Sequence, residues 1–454
     1  MEIVSDLKNI EVIREVFAYI SRFKGKTFVI KIDDDIIDYE YFPVLLKDIS
    51  ILHQAGIRII IVPGARNRIE EILNLYNIKS RFHKNIRITD KGMISFVKMA
   101  AFDVSNKIMT GLSGNSINAV VGNWVKARTL GIIDGIDFMN SGRVEKIDRE
   151  PLVTVMENSF IPIFPCIGWS HSGKPYNISS DELAVSISEI VGADKLFFIG
   201  SDPVLRSENY IFPENSGIDH DGRISRMDIS MVEKFLVMNL QDAEKLEKVS
   251  LALDAAKRGV HRIHILNGRS KGVFLEEIFS NLGVGTMIYG NEFELIRKMV
   301  PADIPGVLRI MEPFVKEGTL LIRDRQSLLN QIDDFFIYET DGVIHGSAAL
   351  TLFPDGVGEI SAVAVDLKYI KLGIGSRLIH YLIDTAVKAK LKQIFLLTTR
   401  TSDWFENIGF KEGSEKDLPS KKRESFNKKR NSKILIYNLE RESQGNRNQG
   451  EEEL

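Results

Sequence analysis

Thiols are scarce in this sequence, which has a single cysteine, Cys166, among 454 residues. A disulfide needs two cysteines and a thiolate metal cluster needs several, so one chain forms neither. The eight histidines show no metal-ligand spacing, and we expect no metal cofactor. A near absence of cysteine fits a reducing compartment, and we therefore expect a cytoplasmic protein.

Long apolar runs are missing as well. Apolar stretches such as Ile57–Pro63 have the length of a strand, whereas a helix that spans a bilayer needs about 18–20 apolar residues. Residues 1–16 carry acidic side chains and lack the basic segment and apolar core of a secretory signal. The sequence therefore predicts that no membrane is a partner.

Neither sign of charge is in large excess. Lys and Arg together number 59, and Asp and Glu number 62, so the net charge is −3. Nucleic-acid binding is driven by concentrated positive charge, and we expect no nucleic-acid partner. The basic stretches Lys421–Arg423 and Lys428–Arg430 fit an RNA patch or a loop whose charge faces an anionic substrate, and we favour the loop.

The length predicts two or three domains. Short strands alternate with amphipathic helices from Thr27 to Tyr76 and from Ser179 to Leu266, and this order predicts a parallel sheet with helices on both faces. The first strand is predicted over Thr27–Ile32, where β-branched residues are frequent, and the helix after it over Tyr41–Ala55. Ser179 is the predicted N-cap of a helix that extends to Val191. The order of strands and helices changes after Ile288. The sequence thus predicts an α/β fold with a first domain over 1–288 that begins with a helix over 1–23, a linker over 289–293, a second domain over 294–440 and a disordered tail over 441–454.

The second domain contains a candidate anion site. Two strands flank Asp341-Gly342, which is a strong hairpin signal, and a further strand covers Glu359–Val365. Gly373 and Gly375 then open a helix. Amides in the first turn of a helix have no internal partner and lie at the positive end of its dipole, so this loop suits a pyrophosphate. A glycine pair by itself also fits a helix-start turn without a ligand.

The order of elements over residues 302–439 resembles the GNAT superfamily of N-acetyltransferases. In that family the acetyl-CoA pyrophosphate binds the glycine loop, and the pantetheine pairs with the strand equivalent to Ser361–Val365. This chain has Ile370 where the family loop begins with Gln or Arg. The resemblance implies that acetyl-CoA is the co-substrate and that it contacts Ala362, Val363, Val365, Leu372, Gly373, Gly375 and Ser376.

Three further segments narrow the resemblance. Leu321–Arg323, Leu397–Phe410 and Arg430–Lys433 are similar to the bacterial-type N-acetylglutamate synthase family, whose members make N-acetylglutamate from acetyl-CoA and L-glutamate in the first step of arginine biosynthesis. The planar fork of arginine binds a carboxylate through two hydrogen bonds. The resemblance implies that the glutamate carboxylates are held by Arg323, Arg430 and Ser432.

Acetyl transfer to an amine needs a base for the ammonium proton and a hydrogen-bond donor for the leaving thiolate. Glu359, at the start of its strand, is the candidate base, although an edge-strand carboxylate in solvent is the alternative interpretation. The resemblance assigns the donor to Thr398. A backbone amide of Ala362 or Val363 would polarise the thioester carbonyl.

The first two thirds of the chain resemble the amino-acid kinase fold, on segments that include Lys31–Asp34, Val62–Arg66 and Asn177–Ala184. A working kinase needs glycines after the lysine of its first strand, but this chain has Asp33 and Asp34, whose charges would repel ATP. We therefore expect an inactive kinase site, with Lys248 near the position of the catalytic lysine of kinases.

Arginine-sensitive relatives bind L-arginine in the kinase-like domain, which implies an effector site with His264, Glu277 and Gly285. A strand histidine satisfied by the core and a solvated glutamate remain the alternatives for His264 and Glu277. The N-terminal helix is an oligomer contact in such relatives, so the resemblance also implies a homo-oligomer.

The sequence predicts an amino-acid N-acetyltransferase that makes N-acetyl-L-glutamate and is regulated by arginine. Two alternatives stay open. One is an N-acetylglutamate kinase with an appended acetyltransferase domain, and the other is a non-catalytic sensor of amino acids.

Overall fold

The computed structural model describes residues 16–17, 20–201, 205–213, 216, 218–219, 221–279, 283–290, 294–340, 343–424, 426–427 and 430–439. The chain divides into two compact units, Met1–Glu292 and Phe293–Leu454, and each is described by itself. Residues 16–17 and 20–23 of the predicted N-terminal helix are helical. The rest of that helix, residues 291–293 of the predicted linker and the tail over 441–454 lie outside the described residues.

The strands and helices of the first unit are β1 (Thr27–Ile32), α1 (Asp34–Ile37), α2 (Phe42–Gln54), β2 (Arg58–Pro63), α3 (Arg66–Leu75), β3 (Arg81–His83), β4 (Ile86–Ile88), α4 (Ile94–Gly114), β5 (Ala119–Val121), β6 (Val125–Thr129), β7 (Ile132–Ile133), β8 (Ile136–Asp137), β9 (Gly142–Ile147), α5 (Arg149–Glu157), β10 (Ile161–Ile163), β11 (Ile167–Trp169), β12 (Pro175–Asn177), α6 (Ser180–Val191), β13 (Lys195–Gly200), β14 (Arg226–Asp228), α7 (Ile229–Met238), α8 (Glu247–Lys257), β15 (Arg262–Asn267), α9 (Val273–Phe279) and β16 (Thr286–Tyr289).

A mostly parallel sheet forms the centre of the first unit, as the sequence predicts. Within the described residues it has eight strands in the order β14-β16-β15-β13-β1-β2-β10-β5, and only the β15–β16 pair is antiparallel. Strand β1 is buried along its whole length and pairs in parallel with both β2 and β13. A strand with two parallel neighbours and both faces covered needs apolar residues at consecutive positions, which explains its sequence TFVIKI.

Helices cover both faces of this sheet. Because successive side chains of a strand point to opposite faces, neighbouring residues of β1 belong to different cores. Ile30 packs with residues of α2 and α4 in one core, whereas Val29 packs with residues of α6 and α8 in the other. The predicted N-cap of α6 is confirmed, since the Ser179 hydroxyl accepts a hydrogen bond from the Glu182 amide at 3.3 Å.

The second unit contains β17 (Glu294–Lys298), α10 (Ile304–Lys316), α11 (Arg325–Asn330), β18 (Phe335–Thr340), β19 (Val343–Phe353), β20 (Val357–Val365), α12 (Ile374–Lys388), β21 (Gln393–Thr398), α13 (Ser402–Ile408), β22 (Lys411–Glu412), α14 (Ser420–Glu424) and β23 (Lys433–Asn438).

Its sheet, counted over the described residues, has seven strands in the order β17-β18-β19-β20-β21-β23-β22. The predicted hairpin is confirmed, because β18 and β19 are antiparallel and Thr340 pairs with Val343. Strands β20 and β21 run parallel, and their pairing extends from Val357 with Gln393 to Ile360 with Leu396. Their pairing ends there, although β20 continues to Val365 and β21 to Thr398, and this leaves an opening between the two strands inside the sheet.

Helix α12 fixes one wall of this opening by packing on the sheet. Its apolar residues recur at helical spacing, and Leu378, Ile379 and Leu382 are completely buried in the main core of the second unit. The glycine loop that precedes α12 therefore has a rigid support.

We predict that Leu382→Ala lowers the free energy of unfolding by about 2–5 kcal/mol, because it leaves a cavity under α12. Thermal or guanidinium denaturation followed by circular dichroism would measure this loss. Val387→Ala is the matched control, since Val387 is 43% exposed on the same helix, and its effect should stay within about 0.5 kcal/mol. Equal losses in the two variants would contradict this account of how α12 is held.

Candidate active site

The predicted general base lies inside the sheet, next to the point where β20 and β21 separate. Glu359 is in register with Thr351 on β19 and with Phe395 on β21. The residue is only 9% exposed, and both of its carboxylate oxygens accept hydrogen bonds from Nζ of Lys422, at 2.5 and 2.7 Å. Glu359 is therefore neither on an edge strand nor in open solvent, and that alternative is wrong.

A second cation, Arg323, acts on the same carboxylate. Its guanidinium lies over the ring of Phe335, with 5.7 Å between the guanidinium carbon and the ring centroid. Burial lowers the pKa of Arg323 from its ordinary value, and the charge of Glu359 opposes this shift. Over the described part of the chain, no hydrogen bond is found from this guanidinium to the protein. Its fork is therefore available to the carboxylate of a ligand.

Arg430 supports the segment that carries Arg323. Its Nη2 atom donates hydrogen bonds to the carbonyl oxygens of Thr319, at 2.7 Å, and Gly318, at 3.2 Å. Residues 318–319 lie a few positions before Arg323 in the chain. The structure thus links two of the predicted glutamate ligands through this turn, and at least one nitrogen of Arg430 is used to hold it.

Thr398 ends β21 at the mouth of the opening. It is 8% exposed, and its hydroxyl oxygen accepts a hydrogen bond from the Thr401 amide at 3.2 Å and lies 2.9 Å from the Thr401 hydroxyl. Ser432 is half-buried and directly precedes Lys433, which pairs with Thr398 across the β21–β23 ladder. The predicted donor and the third predicted glutamate ligand therefore lie at the same end of the sheet.

A bulge in β20 exposes backbone groups to the opening. Two residues, Ala362 and Val363, face one residue, Ala348, of β19. Ala362 has a φ of +53°, in the left-handed region that costs a non-glycine residue about 1–2 kcal/mol. Strand β20 continues to Val365 after its pairing with β21 has ended at Ile360. The edge of the bulged segment that faces β21 is therefore open to a ligand in the described sheet.

The glycine loop begins α12 beyond the bulge. Gly373 has a φ of +70°, and a Cβ at this position would meet no atom within 4 Å. Leu372 ends the preceding 3₁₀ helix, and the half-buried Ser376 lies in the first turn of α12. Open space at Gly373 and the first-turn amides of α12 thus lie together at the loop where the sequence predicts an anion site.

Gly375 is a position of close packing against Trp404 of α13. A Cβ at Gly375 would lie 3.1 Å from the Trp404 ring and 3.6 Å from a methyl group of Val365. Trp404 was not among the site residues predicted from the sequence. The sequence indicates it only through the aromatic pair Trp404-Phe405, which by itself also fits an ordinary core.

Lys422, on the short helix α14, is the main residue that sequence reasoning missed. The only signal was its membership of a basic stretch, and the sequence did not indicate that this one lysine pairs with Glu359. Of the other acetyltransferase residues named from the sequence, Ala362, Val363 and Val365 lie on the part of β20 that β21 does not pair, and Leu372, Gly373, Gly375 and Ser376 lie at the start of α12.

The kinase-like unit contains a buried cluster of opposite charges. Lys31 forms ion pairs with Asp33 and, at 2.9 Å, with Asp181, and Lys248 pairs with Asp33 at 2.6 Å. Burial disfavours the charge of Lys31, but Asp181 and Asp33 outweigh it and raise its pKa. Asp34 accepts hydrogen bonds from the amides of Asn67 and Arg68, at the start of α3. Carboxylates of the chain thus satisfy both the lysines and these amides.

His264, Glu277 and Gly285 also lie together. Glu277 accepts hydrogen bonds from Nδ1 of His264 at 2.6 Å and from the amides of Val284 and Gly285 at 2.7 and 2.9 Å. The ring of His264 is stacked on Phe197, and its Nε2 atom is buried without a partner among the described residues. Glu277 is therefore not a solvated glutamate, and both of its oxygens already have donors.

The described residues were compared with the requirements of a metal site and of a membrane-spanning helix. They contain no group of three or more His, Cys, Asp or Glu side chains that would suit a metal ion. No helix among them has both the length and the apolar character that crossing a membrane requires.

Both units match known families. Residues 26–267 match the amino acid kinase family, and residues 308–410 match the acetyltransferase (GNAT) family. Proteins named amino-acid acetyltransferase from Yersinia pseudotuberculosis and Yersinia pestis are each 33% identical to this chain over 441 residues, which is 94% of this chain and 97% of the relative.

Solved structures agree with these matches. The N-acetylglutamate synthase from Neisseria gonorrhoeae, in complex with coenzyme A and L-arginine, is 30% identical with a TM-score of 0.82 and covers 95% of this chain and 99% of its own. A second structure of that enzyme, in complex with coenzyme A and N-acetyl-glutamate, is 31% identical with a TM-score of 0.60 at the same coverage.

The fold and the site thus define an acetyltransferase in which a kinase-like unit precedes a GNAT-type unit, and the predicted fold class is confirmed. This chain belongs to the amino-acid acetyltransferase family.

The His264–Glu277 pair predicts a pH dependence. Burial lowers the pKa of His264 to about 4, from an ordinary value of 6.5, because a proton on Nε2 would be buried without an acceptor. Between these two values the unfolded chain binds a proton that the folded chain does not. The free energy of unfolding should therefore fall as the pH is lowered from about 6.5 to 4, by at most about 1.4 kcal/mol per pH unit from this residue.

Denaturant titrations across this pH range would measure the effect. The variant His264→Gln keeps a donor for Glu277 but cannot titrate, so its slope with pH should be shallower than that of the wild type. His171→Gln is the control, since the His171 side chain is 76% exposed. An unchanged slope in His264→Gln would show that His264 is not neutral in the folded chain.

Proposed function

We propose that this chain transfers the acetyl group of acetyl-CoA to the α-amino nitrogen of L-glutamate and makes N-acetyl-L-glutamate. The observation that carries the proposal is a buried carboxylate, Glu359, that lies between two cations, Lys422 and Arg323, next to the opening between β20 and β21. Membership in the amino-acid acetyltransferase family supports it.

The reaction follows from the groups around the opening. The ammonium of glutamate gives a proton to Glu359, directly or through water, and the freed nitrogen lone pair attacks the thioester carbon. The amide of Ala362 or Val363 stabilises the negative charge that develops on the carbonyl oxygen. The carbon–sulfur bond then breaks, and the Thr398 hydroxyl donates a hydrogen bond to the leaving thiolate. The second proton of the attacking nitrogen passes to this sulfur, so that coenzyme A leaves as the thiol and the nitrogen becomes a neutral amide.

Substrate binding uses the cations and the helix start. Arg323, Arg430 and Ser432 hold the carboxylates of glutamate. The pantetheine of acetyl-CoA pairs with the open edge of β20 at Ala362, Val363 and Val365, and the diphosphate binds the amides from Leu372 through Gly373 and Gly375 to Ser376. The left-handed Gly373 supports this assignment, since open space at a helix start lets a phosphate approach closely.

The kinase-like unit has a regulatory role in this proposal. L-Arginine would bind near His264, Glu277 and Gly285, where Oε1 of Glu277 accepts one hydrogen bond and can accept a second from a cationic ligand. The relative from Neisseria gonorrhoeae was crystallised with L-arginine, which supports this effector. We also propose a homo-oligomer in the cytoplasm.

A kinase activity is not favoured. The carboxylate of Asp33 contacts both Lys31 and Lys248, the two lysines that a kinase would turn towards phosphate. An ATP-turnover assay with N-acetylglutamate should therefore give no activity above background.

The proposed reaction is tested by following thiol release from acetyl-CoA with a panel of amino acids, with and without L-arginine. We expect release with glutamate and a changed rate on addition of arginine. Release with a different amine but not with glutamate would overturn the assignment of the substrate.

We predict that Glu359→Gln lowers kcat by about 10²–10⁴-fold, because the amide cannot accept the ammonium proton. Coenzyme A binding, measured by calorimetry, should stay within about twofold. Glu412→Gln on β22 is the matched control, since this glutamate is exposed, and it should leave kcat unchanged. Turnover in Glu359→Gln equal to that of the wild type would remove Glu359 from the mechanism.

The diphosphate site has its own test. Gly373→Ala adds a methyl group that meets no protein atom within 4 Å, and it should weaken coenzyme A binding on the order of tenfold by blocking the approach of phosphate. Gly356→Ala is the control for backbone strain, since its φ of +74° matches the +70° of Gly373. Both variants should lose about 1–2 kcal/mol of stability, but Gly356→Ala should bind coenzyme A normally.

A further inference from the structure

Lys422 forms an ion pair with Glu359, the carboxylate that the proposed reaction needs as a base. Its Nζ atom lies 2.5 Å from one oxygen of Glu359 and 2.7 Å from the other, so that it bridges both. The Lys422 side chain is 25% exposed and that of Glu359 is 11% exposed. An ammonium that bridges a carboxylate makes a charge-assisted hydrogen bond to each of its oxygens. This arrangement suits a resting site, because Nζ of Lys422 occupies the position beside both oxygens that a substrate ammonium would need.

The charges around Glu359 favour the binding of an anionic ligand. Lys422 and Arg323 both lie close enough to Glu359 to act on its charge, so an incoming carboxylate meets two cations here. An acidic amino acid brings a second carboxylate to such a site. A neutral amino acid brings only its α-carboxylate, and one of the two cations then keeps Glu359 as its partner.

The anchoring of α14 allows Lys422 to change partners without a rearrangement of the backbone. Arg423, the next residue, donates hydrogen bonds to the carbonyl oxygens of Lys416 and Leu418, both at 2.9 Å, and so ties the short helix to the preceding segment. A lysine side chain has four rotatable bonds and a compact charged end, which lets it follow a new carboxylate over a few ångströms.

We propose that Lys422 is a specificity-determining residue that works by carboxylate exchange. A carboxylate of the incoming acidic amino acid takes Lys422 from Glu359, and Glu359 is released to accept a proton from the substrate ammonium. The nitrogen lone pair then attacks the thioester as described above. Recognition of the acidic side chain and release of the base are thus one event, so a neutral amino acid binds in front of a base that stays paired. This inference rests on the proposed function.

The test compares glutamate with glutamine, which has the same shape but no second carboxylate. Thiol release would give kcat and KM for both substrates in the wild type, Lys422→Met, Lys422→Arg and Lys411→Met. In Lys422→Met we expect kcat/KM for glutamate to fall on the order of 30-fold, mainly through KM, while that for glutamine stays equal or rises. Lys422→Arg should restore part of the preference for glutamate, because it restores the charge.

Lys411→Met on β22 is the control for loss of a lysine charge, since Lys411 is exposed, and it should keep both parameters within about twofold. An equal loss for both substrates in Lys422→Met, at unchanged KM, would mean that Lys422 only holds Glu359 in place, and this result would overturn the inference while the proposed function stands. Absence of thiol release from glutamate in the wild type would instead overturn the proposed function, and the inference with it.

A structural measurement covers the case in which Lys422→Met fails to fold. In crystals of the wild-type protein with coenzyme A and glutamate, Nζ of Lys422 should lie within hydrogen-bond distance of a substrate carboxylate and no longer bridge the two oxygens of Glu359. Retention of the bridge with glutamate bound would overturn the exchange.

Discussion

The separation of β20 from β21 is the constraint on which the acetyltransferase site depends. Two parallel strands that stop pairing after Ile360 and Leu396 leave backbone groups without a strand neighbour inside a sheet, where such groups normally have one. The left-handed Ala362 keeps the strand bulged at this point. The thioester substrate supplies the missing partners in our proposal, and α12 brings its unpaired amides to the same opening. In this proposal, substrate binding and the chemical step thus both depend on the end of the β20–β21 pairing.

Buried charges are balanced in different ways in the two units. In the kinase-like unit, the negative charges of Asp33 and Asp181 meet the buried lysines, so the cluster is satisfied without a ligand. In the acetyltransferase unit, Arg323 and Lys422 both act on the carboxylate of Glu359, and the guanidinium fork of Arg323 is left for a substrate. The same elementary rule, that buried charges need partners, makes one site self-contained and the other receptive.

Much of the fold could be predicted because local signals were strong. The strand over Thr27–Ile32 was predicted to the residue, since a short stretch rich in β-branched residues favours a strand. The N-cap at Ser179 and the hairpin before Val343 were also correct, because capping and tight turns depend on residues close in the chain. The predicted helix over Tyr41–Ala55 was right in kind but is one residue shorter at each end, as element ends depend on tertiary contacts.

The sequence by itself determined the order of the elements, the two families and the residue types at the site, because periodicity, turn chemistry and motifs are properties of neighbouring positions. Tertiary structure alone decided that Lys422 bridges Glu359, that Trp404 closes on Gly375 and that Lys248 meets Asp33. These contacts join residues far apart in the chain, and a single basic or aromatic side chain carries no record of its partner. Which charge is paired and which is free for a ligand is therefore a property of the folded chain.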